Sequence, residues 1–247
     1  MEPFVPPNST GFFNVVWGLG LFAKIIVLIL IIFSIISWAI IVNKYLRFRK
    51  IRRNNRFLYR LFRERSSVLD FIGIASEYPN NILSKLVFAA DEEWKRIIKP
   101  NPQITNSSTE QTIIGSSEVL QLLPNINDTL LGTASLEVER LEHNLAFLAV
   151  ASTASPFLGL LGTVWGILEA FLGVRHIPVV TLQIIAPGIS DALVTTVAGL
   201  LVAIPAVIAY NYYVAQVRSF ANDMERWSIE IVGDFRKAAV RLNSGNK

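Results

Sequence analysis

Three long runs without an interior charge constrain this chain more than any other feature. Residues 25–42 are apolar apart from Ser34 and Ser37. Residues 145–168 carry no charge before Glu169, and residues 192–217 carry none after Asp191. An α-helix needs roughly 20 apolar residues to cross a hydrocarbon core. The second and third runs reach that length unaided, and the first does so when extended back through Phe22 and Trp17. Lys24 lies at the outer end of the first run, where a lysine can reach the interface with its long stem along the lipid. A cleaved signal peptide fits poorly. The run is too long, its positive charges follow it, and no small-residue cleavage site is present.

Composition agrees. The 247 residues would suffice for one or two soluble domains by length alone. But 52% are hydrophobic and 17% charged, against about 25% charged in a soluble domain. The predicted fold class is all-α, an integral membrane protein whose three spans extend into a helical bundle. The expected divisions are an N-terminal segment 1–15, spans 16–43, 145–172 and 182–217, a helical domain 44–144, a short loop 173–181 and a helical tail 218–247. In the third span, Pro187 suits a first turn, where its missing N–H is not needed. Pro205 lies inside the helix, tolerated where neighbours satisfy the freed carbonyl.

Lysine and arginine orient the spans. Lys44, Arg47, Arg49, Lys50, Arg52, Arg53, Arg56, Arg60, Arg63 and Arg65 crowd after the first run, while the loop between the other two carries only Arg175. Positive charge collects on the cytoplasmic side. The 44–144 segment and the C-terminus are therefore expected in the cytoplasm, with the N-terminus and the short loop periplasmic. The basic run also invites a nucleic-acid reading, but no recognition module surrounds it. Attraction to anionic phospholipid is its natural secondary role.

Within 44–144, residues 56–65 continue the first helix or start another. Leu83, Leu86, Val87, Phe88, Trp94 and Ile97 are spaced for one buried helical face, with Pro100 and Pro102 beyond its end. Residues 101–117 are rich in Asn, Ser and Thr and read as a loop. A further helix is expected from about Asn125 into the second span, with Glu137, Glu139 and Glu142 on a solvated face. No nucleophile–base pair, phosphate loop or zinc motif occurs. With no cysteine and only His143 and His176, no metal or cofactor site is expected, and the chain does not read as an enzyme.

The second and third spans carry polar and small residues. Ser152, Ser155, Gly159, Gly162 and Gly166 recur at spacings of 3 and 4, one helical face that lets helices approach closely. Thr163 borders it. The third span carries Asp191, Thr195, Thr196 and Gly199. A carboxylate at the bilayer centre costs about 2.5–3.5 kcal/mol on insertion scales, and such acids face a bundle interior or a wet cavity. Asp191 and Thr195 share one face, whereas Thr196 is turned by about 100°, so the three do not form one line. Packed antiparallel, the two helices would bring hydroxyls together near mid-membrane beneath the carboxylate. Three helices cannot enclose a path for ions, so an oligomer is implied. Small-residue packing with no ion path is the competing account of all these residues except Asp191.

At these residues a specific resemblance emerges. SPFLGLLGTVWGILEAF and TLQIIAPGISDALVTTVAGLLVAIPAVIAYN, with FSIISWAIIVNKY in the first span, resemble the TolQ/ExbB/MotA family of proton-driven motor subunits. SWAIIV and the AYN after Pro205 favour the Tol branch over the Exb branch, and three spans argue against the four-span flagellar branch. The resemblance implies a homopentamer around two single-span TolR-like helices that supply an essential aspartate. Proton flow across the inner membrane would drive rotation, and a TolA-like protein would carry the output to the outer membrane. It assigns the pore positions to Thr163, Thr196 and Asp191, the last usually glutamate. An Exb-type subunit energising TonB-dependent uptake is the alternative.

Overall fold

The computed structural model describes residues 20–65, 68–98 and 116–244. The expectations for residues 1–15, Trp17, Pro100 and Pro102, and most of the 101–117 loop, lie outside the described residues. Those described form six α-helices and no strand: α1 (Leu21–Glu64), α2 (Val68–Ser76), α3 (Ile82–Ile98), α4 (Ser116–Glu142), α5 (Leu145–Val174) and α6 (Leu182–Ser244). Three of them, α1, α5 and α6, are long and apolar enough to cross a membrane.

The 44 residues of α1 make it about 66 Å long, twice what a hydrocarbon core requires. No glycine or proline interrupts it, so the basic stretch continues the first helix. The 63-residue α6 likewise runs on past its apolar stretch, with no proline and only one glycine, Gly233, beyond Pro205.

Two details differ from expectation. The helix predicted to run from about Asn125 into the second span is divided. α4 begins at Ser116, carries Pro124 inside it and ends at Glu142, and α5 begins at Leu145. Asn144 between them adopts the left-handed conformation (φ 69°), which asparagine tolerates better than most residues. α6 begins at Leu182, the expected start of the third span, which puts Pro187 in its second turn instead of the first. Its missing N–H leaves the Gln183 carbonyl without its helical donor.

The chain divides into two compact units, Met1–Lys44 with Asn144–Tyr213, and Tyr45–His143 with Val214–Lys247. In the first unit, Ile26 and Leu30 of α1 pack on Val202 of α6, with Phe22, Phe33, Leu158 and Ala198 around them. The Tyr213 hydroxyl donates to the Ile41 carbonyl at 2.7 Å, joining α6 to α1. Ile25, Leu28, Ile32, Phe157, Leu161, Leu201 and Ile208 point outward and are exposed. Such a surface suits lipid, which places no premium on hiding it.

The second unit has a conventional apolar core. The Asn81 carboxamide caps α3 by accepting the Leu83 N–H at 2.8 Å. Leu83, Leu86, Val87, Trp94 and Ile97 are buried as the spacing predicts, whereas Phe88 is half-buried at the edge of that face. Aromatic rings bridge the helices, Phe62 on Phe71 and Trp94 on Phe235, each pair 5.1 Å between centroids. Arg65 pairs with Asp234. Burial lowers the Arg65 pKa from its ordinary value, and Asp234 opposes that shift. Glu137 corrects the expectation of a solvated acidic face. It is 6% exposed and accepts hydrogen bonds from Lys85, at 2.8 Å, and from Arg140. Glu139 and Glu142 are exposed.

Candidate functional site

The small residues of α5 and α6 form the seam between these helices. A Cβ on Gly159 would lie 2.8 Å from the Thr195 carbonyl oxygen, and one on Gly162 would lie 2.5 Å from the Thr195 Oγ1. On Gly166 it would lie 2.8 Å from the Ala192 Cβ, and on Gly199 it would lie 2.5 Å from the Ser155 carbonyl oxygen. Real Cβ contacts are longer than these, so only glycine permits this approach. The partner numbers fall on α6 as they rise on α5, the signature of an antiparallel pair. Gly188 against Ala170, at 2.8 Å, extends the series beyond the residues singled out in the sequence. Ser155 is fully buried within the seam, while Ser152 is half-buried and donates to the Ala149 carbonyl at 2.8 Å.

This proximity brings three hydroxyls together. Thr163 of α5 and Thr196 of α6 hydrogen-bond to each other. Thr163 also reaches the carbonyl oxygens of Gly159 at 3.1 Å and Ala192 at 3.2 Å. Thr196 reaches the Gly159 carbonyl at 3.3 Å. Both are half-buried. Thr195 is 0% exposed, and its hydroxyl donates to the carbonyls of Gly159 at 3.0 Å and Ala192 at 2.7 Å. The two neighbouring threonines thus divide. Thr195 is sealed in the seam, and Thr196 lies at its margin beside Thr163. A hydroxyl both donates and accepts, so the marginal pair can take up a water or exchange a proton with one.

Asp191 is half-buried on α6 and makes no hydrogen bond or ion pair among the described residues. It precedes Thr196 by five residues, about 7–8 Å along the helix. The structure therefore joins Thr163 and Thr196 by a hydrogen bond and shows none between Asp191 and either of them. Glu169 is a further acid within a span. It is exposed, five residues before the end of α5, and accepts from the Trp165 indole N–H at 2.8 Å. The i, i+4 spacing of Trp165 and Glu169 was the only sequence signal for that bond.

Residues 110–226 match the model of the MotA/TolQ/ExbB proton channel family, a range that contains Thr163, Asp191 and Thr196. The chain is 33% identical over 202 residues to the Tol-Pal system protein TolQ of Haemophilus influenzae, covering 81% of this chain and 82% of that one. It is 30% identical over 226 residues to TolQ of Pseudomonas aeruginosa, covering 87% and 88%. To the biopolymer transport protein ExbB of Salmonella typhimurium it is 31% identical over 212 residues, covering 83% and 80%. The family match takes in α5, the apolar run of α6 and the threonines and small residues of their seam. The chain belongs to the MotA/TolQ/ExbB proton channel family, a family of channels and not of enzymes.

Proposed function

We propose that this chain is an inner-membrane proton-channel subunit of the Tol type, using proton flow to do mechanical work on the cell envelope during division. The observation that carries the reading is the hydrogen-bonded pair Thr163 and Thr196 at the margin of the α5–α6 seam. An acid, Asp191, stands on the same helix with its carboxylate unengaged by any described residue. Packing alone gives no reason to place a carboxylate in a span, since its insertion costs about 2.5–3.5 kcal/mol. Asp191 takes up and releases the proton, and the threonine hydroxyls line the path onward. The small residues Ser152, Ser155, Gly159, Gly162, Gly166 and Gly199 hold the two helices close enough to form that path.

The spans run 16–43, 145–172 and 182–217. The 1–15 segment and the 173–181 loop face the periplasm, and residues 44–144 and 218–247 face the cytoplasm, following the placement of lysine and arginine. One chain cannot enclose the path, so the working form is a homo-oligomer, a pentamer by resemblance. A TolR-like single-span protein completes the path, and a TolA-like protein takes the output. The membrane potential supplies about 2.3 kcal/mol per proton per 100 mV, with the pH gradient in addition.

The identity to ExbB supports a second reading, in which the same machine energises uptake across the outer membrane. Expression in strains lacking TolQ or ExbB separates the two, the Tol reading requiring restored detergent resistance in the first. The proton path itself is tested with Thr163→Ala, Thr196→Ala and Asp191→Asn. Each is expected to assemble normally and to lose Tol function. Full function in all three would leave only the packing account.

A further inference from the structure

The second unit holds a feature that the proton path does not use. A cavity of about 250 Å³ opens between residues 52–59 of α1 and 219–227 of α6. Arg52, Arg56 and Arg226 line it, against the single carboxylate of Asp223. That carboxylate is engaged by Arg226 at 2.8 Å. Arg52 donates to the Gln216 side chain, and the exposed Arg56 makes no ion pair among the described residues. The cavity therefore keeps a surplus of guanidinium charge. Tyr59, Phe220 and Trp227 supply apolar wall. The Tyr59 ring lies 5.3 Å from the Arg226 guanidinium carbon, and its hydroxyl is taken by Glu230 at 2.8 Å.

Two buried polar side chains on this cavity lack partners. Asn55 is 5% exposed, and neither its amide nitrogen nor its oxygen makes a hydrogen bond. Trp227 is 2% exposed, and its indole N–H makes none. A buried donor left unsatisfied costs about 1–3 kcal/mol, and such groups are uncommon enough to need an explanation. Here the two orphaned donors occur on the same cavity as the three arginines. A ligand that answers this set is anionic, rich in acceptor oxygens pointing in several directions, and free of donors that would meet the guanidinium groups. A phosphate group has that character, and arginine forks match its oxygens in pairs.

We propose that this cavity binds the phosphate of a phosphate ester. Arg52, Arg56 and Arg226 supply the charge. The Asn55 amide and the Trp227 indole N–H complete the hydrogen bonds, and the aromatic wall receives the first carbons of the esterified group. The ester is either the headgroup of an anionic phospholipid or a small soluble phosphate.

The full-length protein, purified in detergent, would be titrated calorimetrically with inorganic phosphate and with glycerol 3-phosphate. In parallel, the protein in phosphatidylcholine nanodiscs, with and without phosphatidylglycerol, would be released and weighed by native mass spectrometry for retained lipid. Saturable binding of the soluble phosphates supports a soluble ligand. Selective retention of phosphatidylglycerol without that binding supports the headgroup. In either arm Arg56→Gln and Arg226→Gln should each weaken binding by about tenfold. Trp227→Phe keeps the ring, removes the donor and should also weaken it. Arg49→Gln, on an exposed arginine that does not line the cavity, should change nothing. The proposal is overturned if neither arm shows binding. It is also overturned if Arg49→Gln weakens binding as much as Arg56→Gln does, since diffuse charge would then suffice.

Discussion

Thr163 of α5 and Thr196 of α6 are 33 residues apart in the chain and hydrogen-bond through their side-chain hydroxyls. The pair exists because Gly159 and Gly162 let α6 approach to within contact of the α5 backbone. Replacing either threonine by valine keeps its volume and removes the hydroxyl. Thermal unfolding in detergent should change little, because a side-chain hydrogen bond between membrane helices contributes only about 0.6 kcal/mol on average. Complementation of a Tol-deficient strain should be lost. A large loss of stability with retained complementation would assign the pair to packing.

The seam predicts opposite outcomes for two glycines. Gly162→Ala would put a methyl group 2.5 Å from Thr195 Oγ1 and 2.7 Å from its Cβ. Overpacking of this kind costs about 1–3 kcal/mol. Gly233, in α6, has nothing within 4 Å of its would-be Cβ. There alanine should stabilise by about 0.5–1 kcal/mol, because it removes the entropy penalty of a mid-helix glycine. Melting temperatures of the two purified variants should move in opposite directions.

Arg65 and Asp234 form an ion pair in which the arginine side chain is 7% exposed and the aspartate 25%. Asp234→Asn leaves a buried guanidinium without its counter-charge. Removing one partner of a fully buried pair costs about 3–5 kcal/mol. The partial exposure of Asp234 brings the expected loss toward the lower end of that range or below it. Denaturant unfolding of the variant against wild type measures it.

The pKa of Tyr59 is raised from its ordinary 10.0, first by burial and then by its hydrogen bond to Glu230. A raised pKa on a phenol means that the folded state holds the proton more tightly than the unfolded state. Below pH 10 the group is neutral in both states and makes no pH-dependent difference. As pH rises past the unfolded value, stability falls until the folded group also ionises. Tyr59→Phe removes this group, so its melting temperature should decline less steeply above about pH 10. An unchanged alkaline slope would show that Tyr59 does not contribute to it.

Much of the architecture is readable from local pattern. Charge-free runs of sufficient length have one stable arrangement in lipid, because each backbone group must be satisfied within its own helix. The spacing of Ser155, Gly159, Gly162 and Gly166 likewise identifies a close-approach face, since i, i+3 and i, i+4 residues share a side of any helix. The break at Asn144 was less readable. Nothing in LEHNLAF demands a left-handed residue, and the preceding helix pattern runs through it. Pro187 suits a first turn by its chemistry alone, but a helix that begins at Leu182 carries it in the second.

Sequence alone therefore determined the number of long apolar helices, the helical tail after the third of them and the identity of the small and polar positions. These depend on periodicity and length, which are properties of neighbours in the chain. Only the tertiary structure decided which of two adjacent threonines is sealed in the seam, and which stands beside Thr163. It also decided that Glu137 is buried against Lys85 while Glu139 is exposed. A turn of about 100° per residue carries no meaning until the position of the neighbouring helix is known. That position is set by how closely two glycine-lined surfaces can meet.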